Sequence, residues 1–136
     1  MNEVTTLMCG TILITIPTIQ LGGYFLLSTL TGKYKGEPLT PFQKSMFRAG
    51  HAHAGVLVIL SLIAQVLAEY TGLGEALTWF ARISIPASAI LIAGGFFGAA
   101  GGKQVTQPTK MIWLLHVGAI VLMLGLITLG VGLILR

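Results

Sequence analysis

The chain contains three imidazoles, His51, His53 and His116, each inside or at the edge of a long apolar run. An ionisable side chain in such a run is costly unless it is partnered, so it is read first as a functional residue. Imidazole can ligate haem iron or a transition metal, or move a proton near neutral pH. A bis-histidine haem b would take one axial ligand from His51 or His53 and the second from His116. Arg48, one helical turn before His51, would hold an anionic group such as a propionate or a lipid phosphate. A bare metal ion on His51, His53 and His116 is served less well, because it needs about four ligands. The competing reading is that a histidine near the headgroups simply bonds water or a carbonyl.

The segments around these residues set their depth. Thr40-Pro41-Phe42-Gln43 fits a capping box, with Pro at the first helical position and Gln43 reaching back. At a rise of 1.5 Å per residue, His51 lies about 16 Å beyond Thr40, and His116 about 14 Å beyond Gln107. Tyr24 lies about 12 Å before Gly32 on the first helix. All four side chains are therefore expected at one level. His51 and His53 point about 200° apart on a helix, so only one of them can face His116. His51 is favoured because Arg48 stands beside it.

Glycines gather at the same level: Gly22, Gly23, Gly50, Gly55, Gly94, Gly95, Gly98 and Gly118. They permit close helix approach, as in Gly94-x-x-x-Gly98 and Gly98-x-x-x-Gly102, or leave room for a flat ligand. Close packing is the default expectation.

Of the 136 residues 54% are hydrophobic and 9% charged, against about a quarter charged in soluble domains. With a mean hydropathy of +0.89, so few charges could not cover a water-soluble surface. Four stretches reach the ~20 apolar residues that a membrane span needs: about 5–31, 46–69, 79–100 and 111–135. The expected fold is an all-α, integral membrane four-helix bundle forming a single domain over 1–136. The first run carries Glu3 in place of a basic n-region and is longer than a signal-peptide core, so it reads as a retained span. The break between spans two and three is expected at Thr71-Gly72-Leu73-Gly74, and the last helix is expected to open at Gln107-Pro108.

The net charge of +4 sits in short loops and helix ends, a pattern of membrane orientation rather than nucleic-acid binding. Lys33, Lys35, Lys44, Arg48, Lys103 and Lys110 lie on one side, and Arg82 and Arg136 on the other. The positive-inside rule then places both termini outside and both basic loops in the cytoplasm. Trp79 and Arg82 are expected as interfacial anchors, with Glu69 and Glu75 near Arg82 either paired with it or, by preference, on a solvated rim. Trp113 and Tyr70 are further anchors. Gln20 and Gln65 are expected to bond across helix interfaces. The lone Cys9 excludes an internal disulfide and a cysteine cluster. No nucleophile motif, phosphate loop or mid-span carboxylate points to an enzyme class.

At Leu39–Lys44 and Phe47-Arg48-Ala49-Gly50-His51-Ala52-His53-Ala54-Gly55 the chain resembles small four-span bacterial membrane proteins of unassigned function. His51-Ala52-His53 is also similar to the His-x-His entry of haem-copper oxidase large subunits and NnrS-like haem proteins. Those families have more spans and further histidines. This second resemblance implies haem.

Two functions follow. One is a membrane protein binding haem b for electron transfer, sensing or haem handling. The other is a non-catalytic accessory subunit or homo-oligomer within a larger membrane complex. A minimal transporter or channel ranks third, because it needs oligomerisation to form a path.

Overall fold

The computed structural model describes residues 1–136 and is all-helical. Helix α1 spans Glu3–Leu30, α2 Pro41–Leu67, α3 Glu75–Ala99 and α4 Trp113–Ile134. Each is long and apolar enough to cross a membrane, as expected, and together they indicate a multi-pass membrane protein. Helix α3 begins at Glu75, earlier than the expected span, with Gly74 as its N-cap. Gln107-Pro108 does not open α4. Thr109 instead accepts the Met111 N–H and starts a 3-10 turn, Lys110–Ile112, that leads into the helix.

Helices α2, α3 and α4 form the core. Ala64, Ala68, Ala81, Ile85 and Leu129 fill one end, and Leu57, Ala89 and Ile92 the middle. Between helices in lipid there is little hydrophobic gain, so close backbone approach must do the packing. Two glycines show it. A Cβ on Gly95 would lie 2.5 Å from the Leu115 backbone nitrogen, and one on Gly125 would run into Ser84 Oγ. The expected close approach of small residues is therefore met between α3 and α4. Helix α1 stands apart from this core: it packs chiefly on α2 and buries only Thr5, Ile12 and Leu26.

Two polar clasps fix the ends. At one end Gln43 does two jobs. Its Oε1 accepts the Thr40 N–H, completing the capping box that starts α2. Its Nε2 donates to the Ala100 and Gly102 carbonyls at 3.0 and 2.9 Å, capping the end of α3. The Thr40 hydroxyl donates to the Val105 carbonyl, and Lys103 pairs with Glu37 at 2.7 Å, so the two basic loops dock together. At the other end the Asn2 N–H donates to Glu69, the Gly72 N–H to the Gly132 carbonyl, and Arg136 lies over Tyr70. Both chain termini therefore sit at the same end of the bundle, opposite the basic loops.

Candidate functional site

The three histidines do share a level. His53 lies against Phe96 with ring centroids 4.8 Å apart and the planes tilted by 35°, and the neighbouring Gly95 packs on Leu115, which precedes His116. His51 lies about 3 Å along α2 from His53. Their directions around the bundle separate them. No group of three histidine, cysteine or carboxylate side chains comes close enough to hold a metal ion.

His51 points at α1. Its ring lies where a Cβ on Gly22 or Gly23 would meet it at 3.2–3.5 Å, so those glycines make room for the imidazole. His53 and His116 are both exposed on the outside of the bundle. His53 Nδ1 lies 2.8 Å from the Ala49 carbonyl, and His116 Nδ1 lies 3.0 Å from the Ile112 carbonyl. A carbonyl only accepts, so in both rings Nδ1 carries a proton and donates it, while Nε2 makes no hydrogen bond. His51 makes no hydrogen bond at either nitrogen.

A cavity of about 460 Å³ opens between α1, α2 and α3, with His51 and Gly22 in its wall. Its hydroxyls have Thr11 donating to the Leu7 carbonyl, Thr15 to Ile12, Thr18 to Thr15 and Ser61 to Leu57. Those donors are satisfied within their own helices. His51 is thus the one side chain of the cleft with donor capacity and a lone pair both unengaged. The rest of the wall is largely apolar, including Ile12, Val58, Pro86, Ile90 and Phe97. An aromatic chain, Tyr34–Phe25–Phe47–Phe97, joins the loop, α1, α2 and α3 near the basic end.

The other expected site residues lie elsewhere. Tyr24 is 73% exposed and does not line the cleft. Arg48 stands one turn from His51, but it opens to a separate hollow with Lys44, Leu26, Thr29 and Leu30. His116 is absent from the cleft wall, so no cavity joins it to His51. A pocket shared by all of these residues is not formed.

One polar centre was not anticipated. Arg82, expected at a solvated rim, is 3% exposed. Its Nη1 donates to Thr5 Oγ1, the Gln65 carbonyl and Gln65 Oε1 at 3.0–3.2 Å. No carboxylate forms an ion pair with it. Gln65 bonds across its interface as expected, whereas Gln20 is exposed and makes no hydrogen bond. The signal for the centre was Pro86. Proline has no N–H, so the carbonyl four residues earlier, that of Arg82, loses its helical partner and needs another. Gln65 Nε2 supplies it at 2.8 Å.

No family model, curated protein or solved structure matches the chain.

Proposed function

We propose that this is a bacterial inner-membrane protein that binds a flat, membrane-soluble ring compound in the α1–α2–α3 cleft, with His51 as its polar contact. The observation that carries the reading is the unpartnered His51 imidazole in an apolar cleft of about 460 Å³. Small-molecule sites typically have 300–1,000 Å³ of mostly apolar wall with a few convergent polar groups, and an imidazole left without a partner there is costly. Haem b would take the lone pair of one His51 nitrogen at its iron, and an isoprenoid quinone would accept the N–H of the other nitrogen at a ring carbonyl. What the two share is a flat, largely apolar ring suited to the wall of the cleft. Either would give a role in electron transfer, sensing or cofactor handling. The basic loops lie in the cytoplasm and both termini outside, by the distribution of Lys and Arg.

The test is the composition of protein purified in mild detergent. A Soret band identifies haem, and a quinone in the organic extract at about one per chain identifies the other source. The reading fails if the sample carries neither and its thermal midpoint is unmoved by adding haem or a quinone, since a bound ligand stabilises by mass action.

A second reading is favoured by His53 and His116, which are exposed and whose Nε2 atoms make no hydrogen bond within the chain. Polar side chains on a membrane helix surface suit a neighbouring helix, as in a homo-oligomer or an accessory subunit. Native mass spectrometry showing only monomer would remove it.

A further inference from the structure

The basic end of the bundle has a second hollow, of about 140 Å³, between the last turns of α1 and the first turns of α2. Leu26, Thr29 and Leu30 form its α1 side, and Lys44 and Arg48 its α2 side. Lys44 and Arg48 are four residues apart, so they stand on one helix face. Like charges at that spacing repel, and nothing in the chain offsets them. The ion pairs of the structure are Lys103 with Glu37 and the N-terminal amine with Glu69, so neither cation meets a carboxylate. Arg48 Nε donates to the Lys44 carbonyl at 3.2 Å, which ties the guanidinium to its helix and leaves its two terminal nitrogens without protein partners. The Thr29 hydroxyl already donates to the Leu26 carbonyl, so it supplies no free donor to the hollow. Beside the hollow, Leu27 and Leu30 of α1 are exposed apolar surface.

Two paired cations with free donors, bordered by an apolar helix flank, match one chemistry: a phosphodiester with acyl chains attached. We infer that Lys44 and Arg48 form a binding site for the phosphate of an anionic phospholipid, with its chains lying along Leu27 and Leu30. The guanidinium supplies directed donors to phosphate oxygens and Lys44 a point charge. This site is independent of the His51 cleft, because the two hollows share no lining residue.

The experiment uses the full chain in nanodiscs of mixed phosphatidylglycerol and phosphatidylcholine. Lipid retained after stepwise transfer into detergent is read by native mass spectrometry. A basic residue held against the lipid phosphate contributes roughly a fivefold preference for anionic lipid, and one in an exposed loop that falls outside the hollow contributes less. The wild-type protein should retain phosphatidylglycerol in preference, and the K44Q/R48Q variant should lose that preference by about twenty-five-fold, two contacts at roughly fivefold each. The K33Q/K35Q variant, altered in the adjoining loop, should keep most of it. Millimolar inorganic phosphate should not displace the lipid. The inference is overturned if the wild type shows no preference, if K33Q/K35Q loses as much as K44Q/R48Q, or if inorganic phosphate empties the site. Circular dichroism and size-exclusion profiles matching wild type confirm that both variants are folded.

Discussion

The Gln65 side chain donates to the Arg82 backbone carbonyl at 2.8 Å, while the Arg82 guanidinium returns a bond to Gln65 Oε1 at 3.1 Å. Two residues on different helices thus satisfy each other twice, at the point where Pro86 removes a rung from α3. Thr5 of α1 joins the same guanidinium, so the lightly packed first helix is fastened here by polarity rather than by apolar burial.

Gln65→Leu should cost about 1–3 kcal/mol, because it strands a buried carbonyl and removes an acceptor from a buried charge. Interhelical bonds in membranes average about 0.6 kcal/mol, which favours the lower part of that range. Restoring the missing N–H with Pro86→Ala should reduce the cost of Gln65→Leu by about 1 kcal/mol. Thermal unfolding of the four proteins of this cycle in detergent measures the coupling. Strict additivity would show that the proline and the glutamine are unrelated.

Adjacent glycines should respond oppositely. Gly95 is pressed on the Leu115 backbone, whereas a Cβ on Gly94 meets nothing within 4 Å and points to the cleft. Gly95→Leu should cost about 3 kcal/mol by overpacking. Gly94→Leu should gain up to about 1 kcal/mol from helix propensity, while its bulk occludes the cleft. Unfolding midpoints and ligand retention, measured on both variants, separate the two effects.

Membrane orientation can be read chemically. In a Cys9→Ser background, Lys35→Cys and Lys103→Cys should react with an impermeant maleimide in inverted vesicles and not in spheroplasts. Gly74→Cys, from the opposite end of the bundle, should show the reverse pattern. Labelling of Lys35→Cys and Gly74→Cys from the same side would contradict the antiparallel arrangement itself.

Much of this was legible from the chain because it depends on distance along a helix. The capping box at Thr40, the rise of 1.5 Å per residue and the angle between His51 and His53 place the imidazoles at one height and separate two of them. What rotates each helix about its axis depends on its neighbours. The approach of α3 to α4 through Gly95, Gly118 and Gly125 leaves His116 on the outside. The room left by Gly22 and Gly23 turns His51 toward α1, away from any partner on α4. Arg82 was misread because charge near a helix end suggests solvent. Its burial follows from the acceptors that Thr5 and Gln65 bring to it, a tertiary fact. Pro86 together with a mid-span glutamine on the preceding helix was the one local hint.

Of the three histidines His51 alone lines the cleft, and it alone is proposed to contact a ligand there. The direct measurement is the amount of haem or quinone retained by purified His51→Ala, His53→Ala and His116→Ala beside wild type. His51→Ala should lose most of the bound molecule, and His53→Ala and His116→Ala should keep it. Retention by His51→Ala, or a loss on His116→Ala as large as that on His51→Ala, would contradict the account.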